Sequence, residues 1–260
     1  MTESVLNKIV AARRESVAKD KQTVDQDWIR LHSKMEIPLS LSAVVKESGT
    51  SLIAEAKSTS PSLGVIRADT PLVEVVEAYE DAGASAISIL TEPDFFGGSW
   101  LHLRAARAFC GLPLLCKDFI IDEFQLYMAR ANGADAVLLI AAALDDLELK
   151  KLIKQAHKLE MEVLTEAINK QELDRVLASQ TDLIGINNRD LHTLKVNLNV
   201  SYELLEGIPH DRPIVVESGI FTRDDVERLE NKGADGMLVG TALMASDNIT
   251  AKVKELLGKD

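Results

Sequence analysis

Eight short apolar runs recur along the chain at steps of 21 to 33 residues, and this recurrence strongly limits the possible folds. The runs cover residues 51–57, 86–92, 113–117, 136–141, 162–166, 183–187, 213–217 and 236–240. Short apolar runs between turn residues are typical of strands buried on both faces of a parallel sheet. Each step leaves room for one helix and two loops, so the pattern predicts eight consecutive β–α units.

The segments between the runs carry the residues that commonly begin and end helices. The predicted N-terminal caps are Thr70 (followed by Pro71), Asp122, Asp145, Asn169, Thr222 and Asp247. Three glycines each follow a predicted helix and precede a strand: Gly83, Gly133 and Gly233. A glycine at that point predicts a left-handed C-terminal cap.

These elements predict an α/β chain that forms one (β/α)8 TIM barrel domain over residues 1–260. A doubly wound open sheet is the alternative, but the chain lacks the G-x-G-x-x-G fingerprint of many such sheets. Residues 1–48 precede the first strand and carry an apolar stripe of Leu6, Ile9, Val10 and Val17. We expect an N-terminal helical extension that plugs or caps the barrel, in preference to a partner-binding helix.

Composition excludes several classes of partner. The 260 residues carry 41 acidic and 29 basic side chains, a net charge of −12, whereas nucleic acids and anionic membranes require a basic face. No apolar run reaches membrane-spanning length and no signal peptide is visible, so a cytoplasmic location is expected. Cys110 and Cys116 fit no metal or redox spacing, and the five histidines form no ligand pair, so no metal is predicted.

Polar residues end most of the apolar runs: Lys57, Glu92, Lys117, Glu166, Asn187 and Glu217, with Gly240 closing the last. Ligands of (β/α)8 barrels bind at the carboxyl ends of the strands. Glu55 shares a strand face with Lys57, and a mixture of lysines and glutamates can supply both proton donors and acceptors. We expect burial and neighbouring cations to lower the lysine pKa values. The alternative is a ring of salt bridges between strand ends.

Two kinds of anion site follow from the loops. Ser218-Gly219 and Gly240-Thr241 follow the seventh and eighth runs, where barrels commonly bind phosphate. Asn187 and Arg189 offer groups suited to a carboxylate. The aromatic residues Phe95, Phe96 and Phe119 predict an apolar or aromatic pocket, with core packing an equal explanation for Phe96. Residues 58–69 form a long first loop of the kind that acts as a lid.

The chain resembles the indole-3-glycerol-phosphate synthases over essentially its whole length. The motifs that carry the resemblance are IAEAKSTSPSLG (53–64), SILTEPDFFGGS (88–99), LLCKDFI (114–120), GADAVLLI (133–140), INNRDL (186–191), VESGI (216–220) and LVGTALM (238–244). Seven ordered motifs at matching strand ends are highly specific. The resemblance implies a carbon–carbon lyase of tryptophan biosynthesis that acts without a cofactor.

The implied reaction converts 1-(2-carboxyphenylamino)-1-deoxyribulose 5-phosphate to indole-3-glycerol phosphate with loss of carbon dioxide and water. By the same resemblance Lys117 is the general acid, Glu166 handles protons in the dehydration, and Lys57 with Glu55 holds the carboxylate or supplies a second acid. Asn187 and Arg189 orient the anthranilate part. The resemblance also implies that Ser218, Gly219, Gly240 and Thr241 hold the phosphate, with Ser60 helping from the first loop. The other candidate substrate contacts, selected from their positions in the sequence, are Phe95, Phe119 and Glu217. A monomer is expected.

The chain departs from common family residues at Ala56, Ser58-Thr59, Cys116 and Ile168, and none of these replaces an acid or base named above. The departures concern the rate and loop behaviour more than the reaction. Other readings are another phosphate-binding barrel enzyme, such as phosphoribosylanthranilate isomerase or the tryptophan synthase α subunit, and a non-catalytic or engineered phosphate-binding barrel. The isomerase works with a cysteine and an aspartate, whereas here the first and third strands end in lysines. Orotidine-phosphate decarboxylase expects D-x-K-x-x-D, which is absent.

Overall fold

A computed structural model describes residues 4–33, 37–47, 49–57, 59–60, 64–67 and 70–259, with the backbone alone for residues 59, 60 and 65. Its strands are β1 (Ser51–Ala56), β2 (Thr59–Ser60), β3 (Gly64–Val65), β4 (Ala86–Leu90), β5 (Leu114–Lys117), β6 (Ala136–Ile140), β7 (Glu162–Ala167), β8 (Leu183–Asn187), β9 (Ile214–Glu217) and β10 (Gly236–Val239). The short strands β2 and β3 pair with each other in the first loop, and the other eight form the barrel.

The eight barrel strands are all parallel and follow chain order around a closed sheet. The first strand pairs on one side with the last, where Ser51 is opposite Gly236, and on the other side with β4, where Ile53 is opposite Ala86. Because the pairing of β1 with β10 closes the sheet, the predicted (β/α)8 barrel is confirmed and the open-sheet alternative is wrong.

Helices surround the barrel and cover its two ends. They are α1 (Val5–Thr23), α2 (Gln26–His32), α3 (Leu41–Lys46), α4 (Leu72–Asp81), α5 (Trp100–Phe109), α6 (Glu123–Ala131), α7 (Asp146–Lys158), α8 (Lys170–Leu177), α9 (Asn199–Leu204), α10 (Arg223–Glu230), α11 (Thr241–Met244) and α12 (Ile249–Leu257). A 3-10 turn at Ala141–Ala143 follows β6. Within the described part of the chain, no helix combines the length and the apolar character needed to cross a membrane.

Four of the predicted helix caps are present, and two are displaced by one residue. Side chains at the four confirmed positions accept backbone N–H groups of the first helical turn: Asp122, Asp145, Asn169 and Thr222. The prediction at Thr70 is wrong, because Pro71 is itself extended, with ψ 141°, and α4 begins at Leu72. The prediction at Asp247 is also wrong, because the side chain of Asn248 accepts from the backbone of Ala251 and caps α12.

The repeated glycines end helices as predicted, and the residues after them have a second use. Gly83, Gly133 and Gly233 have φ of 89°, 96° and 98°, the left-handed conformation that favours glycine. Two residues after Gly133, the carboxylate of Asp135 accepts the N–H of Leu114 at 2.7 Å, and Asp235 accepts that of Ile214 at the same distance. The weak Gly-Ala-Asp repeat therefore ends a helix and then satisfies the first N–H of the neighbouring strand.

Alternate strand residues separate the interior of the barrel from the layer between strands and helices. Ile53 packs into the barrel interior with Leu115 and Leu164, whereas its neighbours Leu52 and Ala54 belong to the apolar layer under the helices. This alternation is the period of two expected of a strand. Because both faces are apolar, the runs read as nearly continuous hydrophobic segments.

The N-terminal extension is helical and covers both ends of the barrel. At the amino ends of the strands, Leu41 and Val45 of α3 join the interior cluster, and the hydroxyl of Ser51 donates to the carbonyl groups of residues 44 and 45. At the carboxyl ends, Leu6 and Ile9 of α1 belong to the same apolar cluster as residues that follow the strands. Within the N-terminal extension, α3 therefore plugs the amino end of the barrel and α1 covers its carboxyl end.

Candidate active site

A cavity of about 340 Å³ opens at the carboxyl ends of the barrel strands. Its wall contains most of the residues selected from the sequence: Glu55, Lys57, Lys117, Phe119, Glu166, Asn187, Arg189, Ser218, Gly219, Gly240 and Thr241. Glu217 is buried behind this wall in contact with Lys117. Phe95 does not line the cavity, and the side chain of Ser60 lies outside the described residues.

The ammonium group of Lys117 is held between carboxylates from three other strands. Its Nζ donates to Oε2 of Glu217 at 2.5 Å and lies 3.9 Å from Oε2 of Glu55. Burial disfavours the charged lysine, but Glu217, Glu55 and Glu166 outweigh this effect and raise the pKa of Lys117 above its ordinary value. The expectation of a lowered pKa is therefore wrong for Lys117, because its nearest partners are anions and not cations.

Glu55 connects the two lysines. Lys57 donates to Oε1 of Glu55, whose other oxygen faces Lys117. Burial opposes ionisation of this carboxyl, yet the two ammonium groups hold the pKa of Glu55 below its ordinary value. A methyl group at Gly240 would overlap Oε1 of Glu55 and lie 2.9 Å from Nζ of Lys57. Gly240 therefore makes room for this ion pair, a packing reason that the sequence pattern did not indicate.

Glu166 differs from Glu55 because a second carboxylate lies near it. Burial, with repulsion from Glu217, raises the pKa of Glu166 to about 8. Nδ2 of Asn187 donates to Oε2 of Glu166 at 3.1 Å, and Oδ1 of Asn187 accepts the backbone N–H of Arg189 at 2.9 Å. This second bond fixes the orientation of the amide. The site thus contains an ionised carboxylate at Glu55 and one that keeps its proton near neutral pH at Glu166.

Glu92 shapes the turn after β4. Its carboxylate accepts the backbone N–H groups of Asp94, Phe95 and Phe96 at 2.9, 2.8 and 3.0 Å. Burial raises the pKa of Glu92 despite these bonds. The turn places the ring of Phe96 in the cavity wall, 5.9 Å from the ring centroid of Phe119. The aromatic wall is therefore made by Phe96 and Phe119, and Phe95 packs against the interior apolar cluster instead.

The two loops selected for phosphate lie next to each other in the wall. Ser218 and Gly219 have φ of 65° and 82°, and Thr241 begins the short helix α11 directly after Gly240. Val196, from the loop after β8, packs against Gly219, where a Cβ would lie 2.7 Å from its Cγ1. Several apolar residues of this wall were not selected from the sequence: Leu191, Val196, Ile220, Phe221 and Leu238. Their contribution depends on how distant loops meet, which no local pattern shows.

Residues 6–256 match the family model for indole-3-glycerol phosphate synthase. The chain belongs to the indole-3-glycerol phosphate synthase family. It is 40% identical to the indole-3-glycerol phosphate synthase of Polaromonas naphthalenivorans, over 98% of this chain and 99% of that protein. It is 41% identical to that of Sulfurimonas denitrificans, over 97% and 98% of the two chains.

Solved structures of lower sequence identity share the fold. The tryptophan synthase A-subunit of Pyrococcus furiosus superposes with a TM-score of 0.61 at 18% identity, covering 82% of this chain and 99% of that chain. This likeness supports the barrel and no further property. Membership of the indole-3-glycerol phosphate synthase family replaces the other phosphate-binding barrel families considered from the sequence.

The departures from common residues of the indole-3-glycerol phosphate synthase family lie behind the cavity wall or outside the described residues. Ala56 and Cys116 are 4% and 0% exposed, and neither lines the cavity. Ile168 uses its backbone N–H to donate to Glu172 at 3.0 Å at the start of α8. Ser58 and the side chain of Thr59 lie outside the described residues. None of the three described positions contacts the ammonium group of Lys117 or the carboxylate of Glu166 through a hydrogen bond.

Proposed function

We propose that this cavity performs the ring closure for which the indole-3-glycerol phosphate synthase family is named, with Lys117 as the first proton donor. The observation that carries the proposal is the placement of the Lys117 ammonium 2.5 Å from Glu217 at the wall of the cavity. Its raised pKa keeps the group protonated at neutral pH. In the open-chain substrate the aromatic carbon that bears the carboxylate attacks the ketone carbon, and Lys117 protonates the ketone oxygen as the C–C bond forms.

Decarboxylation then restores the aromatic ring. The bond from the ring carbon to the carboxylate breaks, its electron pair returns to the ring, and carbon dioxide leaves. Lys57 is the cation at the cavity wall that is suited to hold this carboxylate before it leaves. Its ion pair with Glu55 limits the positions that its ammonium group can take. Arg189 lines the same cavity, and its guanidinium supplies a second positive group for the anthranilate part.

Glu166 is the acid for dehydration. After ring closure the former ketone oxygen is a hydroxyl group, which leaves as water when a carboxylic acid protonates it. With a pKa of about 8, Glu166 holds that proton at neutral pH, and Asn187 orients its carboxyl group. The resulting carboxylate of Glu166 then takes a proton from the adjacent carbon of the new ring, and the double bond of the indole forms. The same substrate oxygen is thus protonated twice, first by Lys117 and then by Glu166, and the two donors have different pKa values.

The phosphate of the substrate is proposed to bind in the cavity where the turns after β9 and β10 meet. Support comes from Ser218, Gly219, Gly240 and Thr241, which adjoin in the wall and expose backbone to the pocket. Gly219, with φ of 82°, has no side chain and lets the backbone of this turn approach an anion closely. Ser60 stays a proposed contact from the first loop.

We further propose that one copy of the chain, in the cytoplasm, is the working unit and forms a single domain, with the phosphorylated carboxylate substrate as its partner. The cavity wall is built from residues of the barrel strands and of the turns that follow them in one chain, which supports activity as a monomer. The net charge of −12 supports the absence of nucleic acid and membrane partners. Light scattering at assay concentration measures the assembly state, and a dimer as the only active species contradicts the proposal.

The experiment that tests the function is a conversion assay with purified protein. Incubation with 1-(2-carboxyphenylamino)-1-deoxyribulose 5-phosphate is expected to produce indole fluorescence together with carbon dioxide. The same compound without its phosphate is expected to react with a higher KM, because the proposed phosphate contacts are lost. Absence of product at micromolar enzyme would overturn the proposal.

A further inference from the structure

The turn that follows β9 holds a serine in a backbone conformation that L residues rarely adopt. Ser218 has φ of 65°, in the left-handed region where an L side chain is strained, and Gly219 continues the turn at 82°. Strained conformations persist where the surrounding structure holds them, and they cluster at ligand sites. The question is which residue holds this one.

Asn188 contacts the turn directly. Its Nδ2 donates to the carbonyl oxygen of Glu217 at 3.1 Å and to that of Ser218 at 3.0 Å. Its Oδ1 accepts from the backbone N–H of Ser201 at 3.0 Å and from the hydroxyl of the same residue at 2.8 Å. The side chain is 1% exposed and all four of its hydrogen-bonding positions are used. Asn188 therefore connects the turn rigidly to α9.

These two bonds, with a third from the backbone N–H of Asn188 to the carbonyl oxygen of Glu217 at 2.9 Å, determine where the N–H groups of the turn point. In a planar trans peptide the C=O and the N–H point in opposite directions. By holding the carbonyl groups of Glu217 and Ser218, Asn188 directs the N–H groups of Ser218 and Gly219 away from itself. Both of those residues line the cavity. Neither N–H donates to an acceptor among the described residues, so both are available to an anion.

We infer that Asn188 is a positioning residue for phosphate, which aims the N–H groups of Ser218 and Gly219 into the cavity without touching the substrate. This inference rests on the proposed function, since it concerns the phosphate side of the same site. The sequence pattern selected Asn187, which ends a strand, and passed over its neighbour. Adjacent strand positions point to opposite faces, and Asn188 follows on the face away from the cavity.

The variant Asn188→Asp removes the two side-chain bonds to the turn and adds a buried negative charge. Aspartate has nearly the same shape and can still accept from Ser201, but it replaces the donor that faces two carbonyl oxygens with an acceptor. The matched control is Asn231→Asp, the same change at an exposed residue that ends α10 at the other end of the barrel. Combining Asn188→Asp with Ser218→Gly adds a rescue test, because glycine adopts the left-handed conformation without strain.

The expected result is a split between KM and kcat. For the phosphorylated substrate, Asn188→Asp raises KM by about tenfold or more, the equivalent of losing a hydrogen bond to a charged group, while kcat changes by less than about twofold. For the substrate without phosphate, kcat/KM stays within about twofold of the unmodified chain. The added Ser218→Gly substitution restores part of the KM. A purely structural role predicts equal losses for both substrates, and that outcome, or an unchanged KM, overturns the inference.

Binding of inorganic phosphate gives a reading that requires neither ring closure nor a folded variant. In the unmodified chain, the amide proton resonances of Ser218 and Gly219 are expected to move downfield as phosphate is added. Absence of that shift while phosphate binds elsewhere overturns the role assigned to the turn and to Asn188. Because this titration contains no substrate, a chain that binds phosphate at the turn but fails to close the ring would contradict the proposed function alone.

Discussion

Lys117 and Glu217 form a hydrogen-bonded ion pair, with Nζ 2.5 Å from Oε2, although they are 100 residues apart in the sequence. The carboxylate is 1% exposed, so the pair lies largely out of water. Taking a lysine out of water normally lowers its pKa, and here the neighbouring anions reverse the direction. The consequence is a proton donor that stays charged until it meets a more basic oxygen.

Glu217→Gln is expected to lower the pKa of Lys117. The substitution removes the carboxylate that does most to offset the effect of burial on Lys117, so the charged form of the lysine loses stability. The same change removes the anion that repels ionised Glu166, so the pKa of Glu166 is expected to fall as well. The alkaline limb of the plot of kcat against pH should therefore move to lower pH. The value of kcat should fall by about tenfold to a hundredfold, which is less than the loss expected when the acid itself is removed. A profile that keeps its alkaline limb would show that Glu217 does not set the charge of the donor.

The raised pKa of Glu166 is expected to make activity depend on pH. Its pKa is raised to about 8, so the acid form is present below that pH and disappears above it. We expect kcat to decrease as pH rises through about 8, because dehydration follows the loss of carbon dioxide and the kcat profile reports groups of the occupied enzyme. An alkaline limb that begins only near the ordinary pKa of a lysine would contradict the assignment of Glu166 as an acid.

The same group predicts a pH dependence of stability. The pKa of Glu166 is higher in the folded chain than its ordinary value of 4.5, so the folded state binds the proton more tightly than the unfolded state. The contribution to stability is complete below pH 4.5 and is lost as pH rises through about 8. Glu166→Gln cannot ionise, so its melting temperature should fall less over this interval than that of the unmodified chain. Glu15→Gln, at an exposed position of α1, is the control and should retain the original pH dependence.

The buried ion pair of Arg13 is expected to stabilise the attachment of the N-terminal helix over the site. Its guanidinium donates to both carboxylate oxygens of Asp118 at 2.9 and 2.7 Å, and the side chain is 1% exposed. Asp118 directly follows Lys117, so the pair joins α1 to the strand that carries the proton donor. Removing one partner of a buried ion pair typically costs about 3–5 kcal/mol, so Arg13→Met should reduce the free energy of unfolding by that amount in urea. Arg14→Met, at the adjacent exposed position, should change it by less than about 0.5 kcal/mol.

A side chain at position 240 is expected to disturb the ion pair between Lys57 and Glu55. In Gly240→Ala the new methyl group would overlap Oε1 of Glu55, so the ion pair must move or break. We expect a loss of about 1–3 kcal/mol in unfolding free energy and a raised KM, because Lys57 is displaced. Gly111→Ala is the control, since its methyl group meets only the flexible end of Glu80 at 3.1 Å. Normal KM in Gly240→Ala would contradict the placement of Lys57 in carboxylate binding.

The barrel was predictable because its signal repeats. Each strand gives an apolar run and each helix begins with a capping residue, so an error of one residue, as at Asn248, leaves the order of elements unchanged. The strand-end residues were predictable for the same reason: parallel strands bring Lys57, Lys117 and Glu166 to one face however long the intervening helices are. Family resemblance then supplied the reaction.

The charges of the site were not predictable from the sequence. Whether the pKa of Lys117 rises or falls depends on which side chains face it across the barrel, and neither the 2.5 Å contact with Glu217 nor the 3.9 Å approach of Glu55 is encoded in local spacing. Asn188 was passed over for a similar reason, because its partners come from α9 and from the turn after β9. Non-local contacts decide these functions.

The central claim, that Lys117 donates the proton on which C–C bond formation depends, is tested most directly by carbon dioxide release in a single turnover. Carbon dioxide leaves only after the ring has closed, so Lys117→Met should slow its release and the appearance of indole fluorescence together, by about a hundredfold or more. Lys154→Met, at an exposed position of α7, should leave both rates unchanged. Release of carbon dioxide by Lys117→Met at nearly the original rate would contradict the claim and assign the first proton transfer to another group.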